Sequence, residues 1–326
     1  MIDLLNLQPT TISRDLKGKY IMIYGPAKSG KTSFAANFKK NLLLAFEIGY
    51  HALDGIYAQP VEKWSDFKLI LRQLNDEAVK EKFETVTIDT ASIAWDLCEK
   101  YICSQNGVQK IGDIPWGAGY TACKNEFENT LRQITLMGYG LILIAHSEKR
   151  VEKEGESDIE FYSPSLNKRA YDICNKLVDV IGYIGIEWDE NGNSERYLYT
   201  RQTPRIMAGS RYKYLAPKIK FGYQELVDAI GEAIDKSAEL DGATVVDHAD
   251  KVVVESLDYN KVRAEAYELW NKLVKPDSDE PDAEMAKVIL KKAEIIFGRP
   301  IKLSEITEDQ VDLMNLLVVD MRDLVK

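Results

Sequence analysis

The sequence predicts an α/β fold in which a mostly parallel, doubly wound sheet is followed by a small C-terminal helical module. Three observations predict it. Short apolar runs alternate with helical patterns through the first two-thirds of the 326 residues. Those runs are too continuously apolar to have a solvent face, as in parallel strands covered on both sides. Near the C-terminus only helical periods remain, punctuated by Pro and Gly.

In chain order, strands are expected at residues 19–24, 41–46, 85–89 and 141–145. Helices near 31–40, 64–82, 91–104 and 120–137 lie between and before them. Strand–helix repetition of this kind is the mark of a doubly wound sheet. Residues 178–188 and 196–200 read as two strands joined by Asp189-Glu190-Asn191-Gly192-Asn193, a hairpin signal. A helix at 224–236 closes a core domain spanning 1–236. Residues 237–257, mixed polar and β-branched without helical period, read as a linker. The module at 258–326 holds helices near 259–274, 282–297 and 307–325, separated by Pro276, Pro281 and Gly298-Arg299-Pro300.

With 45% apolar and 29% charged residues, the chain has ample material for a core. The net charge of −10 is uneven: from Lys236 onward 20 acidic residues face 13 basic ones, leaving only −3 for residues 1–235. The acidity therefore belongs mainly to the tail and does not exclude an anionic ligand on the core. Four cysteines without CxxC spacing and three scattered histidines argue against a zinc site or disulfide framework, and fit a reducing cytosol. No stretch approaches the roughly 18 apolar residues of a membrane span. The charged N-terminal segment (Asp3, Arg14, Asp15, Lys17, Lys19) does not read as a signal peptide. A cytoplasmic protein with no membrane partner is expected.

Gly25-Pro26-Ala27-Lys28-Ser29-Gly30-Lys31-Thr32 matches GxxxxGK[ST] in full, and Ser33 continues it into the expected helix. An apolar strand before and a helix after are the context that makes this a phosphate-binding loop. Its backbone N–H groups and the helix N-terminus aim at a β-phosphate. Gly25 and Gly30 permit the backbone angles. Lys31 is expected to neutralise β/γ-phosphate charge and Thr32 to ligate Mg²⁺. Lys28 reads as exposed. The expected cofactors are ATP and Mg²⁺.

Thr85-Val86-Thr87-Ile88-Asp89 is an apolar strand ending in a carboxylate, suited to hold the metal as a Walker B acid. Asp89-Thr90 also fits a helix cap. Glu47 lies just past the first strand after the phosphate-loop helix; the position resembles that of the Glu which, in RecA-like ATPases, polarises the attacking water. His146 follows the run 141–145, placed to sense a γ-phosphate. Because Thr90 follows Asp89, the AAA+ arrangement, with a Glu beside the Walker B Asp, is absent.

The order Walker A, strand-end Glu, Walker B, strand-end His resembles the RecA-like P-loop NTPases. More closely, the chain is similar to the phage-encoded nucleotide-binding proteins that include the Sak-type single-strand annealing recombinases. The residues behind this are the phosphate loop, Glu47-Ile48-Gly49, Thr87-Ile88-Asp89-Thr90, Ile114-Pro115-Trp116-Gly117 and Ile144-Ala145-His146-Ser147-Glu148, within about residues 15–235. The resemblance implies a RecA-like ATPase core acting on single-stranded DNA in phage recombination or replication. It also implies a homo-oligomeric ring or filament, with a single-strand DNA-binding protein as a possible partner.

In such folds the segments after Walker B and after the sensor strand face DNA; by position these are mobile loops at 104–119 and 147–165. The first carries Lys110 and Trp116; the second carries Lys149, Arg150, Lys153, Phe161 and Tyr162 among Glu148, Glu152, Glu154, Glu156, Asp158 and Glu160. Residues 196–220 hold Arg196, Arg201, Arg205, Arg211, Lys213, Lys218 and Lys220 without an acidic residue, interleaved with tyrosines. Three readings stay open there: a nucleic-acid surface, a solvated hairpin face, or a catalytic element in which Arg211 and Lys213 reach a neighbour's γ-phosphate.

Overall fold

The structure, a computed structural model, describes residues 11–14, 16, 18–154, 157–246, 257–274 and 282–325. In chain order the first unit contains β1 (Ile12–Ser13), β2 (Tyr20–Gly25), α1 (Lys31–Ala36), β3 (Asn41–Ala45), β4 (Tyr57–Pro60), α2 (Trp64–Leu74) and α3 (Glu77–Lys82). It continues with β5 (Thr85–Asp89), α4 (Ala91–Gln105), α5 (Ala118–Leu136), β6 (Gly140–Glu154), β7 (Ser157–Pro164) and α6 (Lys168–Leu177). It ends with β8 (Val180–Trp188), β9 (Ser194–Tyr199), β10 (Gly209–Ser210), β11 (Lys218–Lys220), α7 (Tyr223–Asp241) and β12 (Val245–Val246). A second unit, Val254–Lys326, holds α8 (Tyr259–Val274), α9 (Ala283–Phe297) and α10 (Val311–Val325).

The main sheet runs β11-β9-β8-β2-β6-β5-β3-β4. From β8 to β4 the neighbours are parallel, while β9 and β11 continue antiparallel past β8. The phosphate-loop strand β2 and the Walker B strand β5 are thus separated by β6. This is a RecA-like P-loop core with helices on both faces. Side-chain alternation explains the apolar runs. Met22, Tyr24, Leu141, Leu143 and Ala145 face a core built with α2, α4, α5 and α6. Ile21, Ile23, Ile142 and Ile144 face a second core built with α1 and α7. Each strand is covered twice, so neither face could be polar.

Several expected boundaries shift. The helix after the phosphate loop stops at Ala36, well before residue 40. The single helix expected at 64–82 is two helices, because Asn75 closes the first while the Asp76 carboxylate accepts from Ala78 N–H and opens the next. Residues 237–257 are not simply a linker: α7 runs on to Asp241, Gly242 caps it in a left-handed conformation, and Val245–Val246 pairs in parallel with β1. The rest of that stretch (247–256), Glu156, Pro276 and Pro281 lie outside the described residues.

The largest correction concerns 147–165. Where a mobile loop is expected, β6 continues without a break from the core and pairs antiparallel with β7, from Ser147↔Pro164 outward. The hairpin is fastened at its root. The Tyr24 hydroxyl donates to the Met207 carbonyl (2.6 Å) and lies 3.0 Å from that of Tyr162, and the Tyr162 ring stacks on Tyr183 at 5.3 Å. The alternating charges that hide the strand in the sequence are partly matched across and along it: Lys149 pairs with Glu160, and Arg150 with Glu148.

The second unit has its own core, centred on Met314, Leu317, Val318 and Met321 of α10 against Ala266 of α8 and Ile289 of α9. Lys292–Asp320 (3.1 Å) and Arg322–Glu265 (2.6 Å) tie its helices at the rim. No helix among the described residues is long and apolar enough to cross a membrane.

Candidate nucleotide site

The ends of β2, β6, β5 and β3 bring together residues far apart in sequence. Gly25 closes β2 opposite His146 on β6, Asp89 closes β5 opposite Ile144, and Ala45 on β3 pairs with Asp89. Phe46 and Glu47 both donate their N–H groups to the Asp89 carbonyl, at 2.8 and 3.0 Å. The backbone itself therefore holds the strand-end Glu beside the Walker B Asp. The carboxylate reaches the site from the neighbouring strand, not from the next residue in the chain, which is Thr90.

Within the loop, two glycines are sterically required. A Cβ at Gly25 would lie 2.9 Å from Ile184 Cβ of β8, and Gly30 sits at φ 95°, where L side chains are strained. Ala27 and Lys28 are exposed at the loop's apex, as is Ser33 just inside α1. Ser29 is buried, and its Oγ has no hydrogen-bond partner among the described residues. An orphaned buried hydroxyl in a loop of this shape fits an anionic ligand. Lys31 Nζ donates to the carbonyls of Gly25 (3.1 Å) and Pro26 (2.6 Å).

The Thr32 hydroxyl donates to Asp89 Oδ2 at 2.6 Å. These two oxygen donors are the pair suited to hold Mg²⁺, a hard cation that prefers carboxylate and hydroxyl oxygen. Burial raises the Asp89 pKa; the Thr32 hydrogen bond lowers it, Glu47 raises it, and Lys31 and His146 lower it. Burial lowers the Lys31 pKa, opposed by Asp89 and Glu47. The site thus places a desolvated ammonium against two carboxylates, an arrangement that gains when a polyphosphate and a divalent cation enter together.

His146 Nε2 lies 3.0 Å from Glu47 Oε2. The sequence assigns these residues separate duties; in space they touch. With Nε2 protonated, His146 donates to the carboxylate and fixes its orientation, leaving the other oxygen to accept a proton from water.

Arg211 does not join this group within the chain. Its backbone N–H donates to the Asp179 carbonyl, and its guanidinium binds Asp179 Oδ1 (3.0 Å) and the Lys176 carbonyl, beside the start of β8. That is the opposite end of the sheet from the phosphate loop. Lys213 is held by Asp241 at 2.8 Å. Lys218 pairs with Glu187 and Lys220 with Glu195, so β8 and β9 supply the acids missing between residues 196 and 220. The member of that stretch that does reach the loop is Arg196, whose Nη1 donates to the Ser29 carbonyl at 2.9 Å. Nothing local in the sequence marks it, because the contact spans 167 residues.

Residues 17–212 match the family described as AAA domain. Over 334 aligned residues the chain is 28% identical to the SPbeta prophage-derived uncharacterized protein YorG of Bacillus subtilis (strain 168), covering 99% of this chain and 98% of that protein. Among solved structures, the flagellar accessory protein FlaH from Methanocaldococcus jannaschii aligns over 63% of this chain and 85% of its own, at 12% identity and a TM-score of 0.37.

Proposed function

Since the chain belongs to the AAA domain family of P-loop NTPases, we propose that it is a Mg-ATP-dependent ATPase of phage origin that works with single-stranded DNA in recombination or strand annealing. The observation that carries the ATPase reading is the continuous contact chain from Thr32 to Asp89 to Glu47 to His146 beside Lys31. Bound ATP would supply the phosphoanhydride bond, and Mg²⁺ the positive charge that offsets the phosphates. Lys31 and the loop amides hold the phosphates, Thr32 and Asp89 hold the metal, and Glu47, oriented by His146, takes the proton from the attacking water.

The phage and DNA parts rest on different support. The relative that aligns end to end is described as prophage-derived. The β6–β7 hairpin leaves the core immediately after His146, which puts that residue at the root of a paired extension of the sheet. Single-stranded DNA is the ligand we assign to that end of the molecule, with cytoplasmic action as a homo-oligomer. The neutralised residues 211–220 speak for a second reading, a nucleotide-gated assembly or loading factor with little DNA-stimulated turnover.

ATP hydrolysis measured with and without single-stranded DNA, for wild type and Lys31→Ala, separates them. Stimulation that disappears in the variant supports the recombination ATPase. ATP binding with turnover that stays flat on every DNA transfers the assignment to the assembly factor.

A further inference from the structure

The contacts around the phosphate loop have a direction. On one side of β2, toward β6, β5 and β3, stand His146, Asp89 and Glu47, the residues suited to the metal and the reacting phosphate. A nucleotide is an extended molecule. With its phosphates held by the loop and its reacting end toward β5, its nucleoside must leave on the other side, across β8 and β9.

That side is built as a wall. Ile184 of β8 stands level with Gly25, where a Cβ on the glycine would come within 2.9 Å of it. Beyond Ile184 the strand continues through Ile186 to Trp188, roughly 13 Å past the loop at strand spacing. Alternation puts Ile186 and Trp188 on the same face as Ile184, the face that carries α1. The returning strand β9 pairs Arg196 with Ile186, on that same face. Ile186 is 43% exposed and Trp188 71% exposed, apolar side chains extending past the end of the core.

Arg196 fastens this wall to the loop. Besides its bond to the Ser29 carbonyl, its guanidinium lies 5.6 Å from the ring of Phe221, and Phe221 stacks on Phe34 of α1 at 5.1 Å. A Cβ on Gly30 would meet Arg196 Nη1 at 2.5 Å, so the guanidinium lies directly against the loop backbone. An aromatic and aliphatic wall with a cation at its root, next to a phosphate cradle, matches the chemistry of a purine base and its sugar.

We infer that Ile186, Trp188 and Arg196 form the nucleoside subsite, with Trp188 stacking on the base and Arg196 setting the wall against the phosphate loop. The inference rests on the nucleotide-binding reading above. It explains why the end of the β8–β9 hairpin carries exposed apolar residues on this one face, and why Arg196, unlike the acid-paired Arg211, Lys213, Lys218 and Lys220, reaches the phosphate loop.

Calorimetric binding of ADP and of inorganic tripolyphosphate, both with Mg²⁺, tests it on wild type, Trp188→Ala, Trp188→Phe and Lys31→Ala. Trp188 is exposed, so its replacement leaves the core intact. The expected result is that Trp188→Ala weakens ADP about tenfold and leaves tripolyphosphate within twofold, while Trp188→Phe recovers most of the loss. Unchanged ADP affinity in Trp188→Ala, or equal losses for both ligands, would overturn the subsite. If wild type binds tripolyphosphate through Lys31 but ADP no more tightly than Trp188→Ala does, the subsite falls and the phosphate loop stands. If wild type binds neither ligand, the nucleotide reading itself falls, and the subsite with it.

Discussion

The phosphate-loop corner and the basic stretch at 196–220 make a useful contrast. Both look like functional signals in the sequence, one a spacing motif and the other a run of positive charge. The corner is brought together in three dimensions: the loop, Asp89, Glu47 and His146 meet at the ends of four neighbouring strands. The basic stretch does not keep a single meaning. Arg211, Lys213, Lys218 and Lys220 each find an acid from elsewhere, and only Arg196 turns toward the loop. A spacing motif encodes backbone geometry and survives folding. A charge run encodes only composition, and its field depends on partners that the linear sequence does not reveal.

The contrast predicts unequal responses to substitution. The largest is at the metal pair. Asp89→Asn is expected to lower Mg-dependent ATP turnover by about a hundredfold or more, read by phosphate release at saturating ATP. The same variant carries a pH signature. Burial raises the Asp89 pKa above its ordinary 3.8, so the native state holds a proton that the unfolded chain has released. Stability therefore falls as pH rises from 3.8 through the raised value, and the loss persists above it. Melting curves of the nucleotide-free Asp89→Asn variant should lack this part of the fall, with neutral-pH stability at least equal to wild type.

An intermediate effect is expected at His146. His146→Ala frees the Glu47 carboxylate from its orienting donor, and turnover should drop about tenfold with ATP affinity preserved. A loss confined to affinity would instead make His146 a binding residue. The smallest effects belong to the basic stretch. Arg211→Ala removes an exposed ion pair, so stability should change by at most about 1 kcal/mol and turnover by less than about twofold. A tenfold loss of turnover with assembly intact would reverse the contrast and return Arg211 to a neighbour's active site. Lys220→Gln, in a more exposed pair with Glu195, should leave the denaturant midpoint indistinguishable from wild type.

Much of the core is legible in the sequence for a physical reason. Met22, Tyr24, Ile21 and Ile23 read as one apolar run because α-helices cover both sides of β2, and the same holds for residues 141–145 of β6. The missed features are those whose cause is non-local. The β6–β7 hairpin is written in charged residues such as Lys149 and Glu160, which neutralise one another only after pairing. The His146–Glu47 contact joins residues 99 positions apart, and nothing in either neighbourhood announces it. The break after Leu74 was available locally, in the turn residues Asn75 and Asp76, but the apolar pattern around it reads as continuous.

Glu47 is where the account is most exposed, because its role depends on strand adjacency and not on a motif. The decisive measurement is single-turnover hydrolysis of saturating Mg-ATP by wild type and Glu47→Gln, with ATP affinity determined on the same samples. The account predicts a loss of about a hundredfold or more in the hydrolysis rate with affinity within about threefold of wild type. A Glu47→Gln rate within about threefold of wild type would contradict it and require another base.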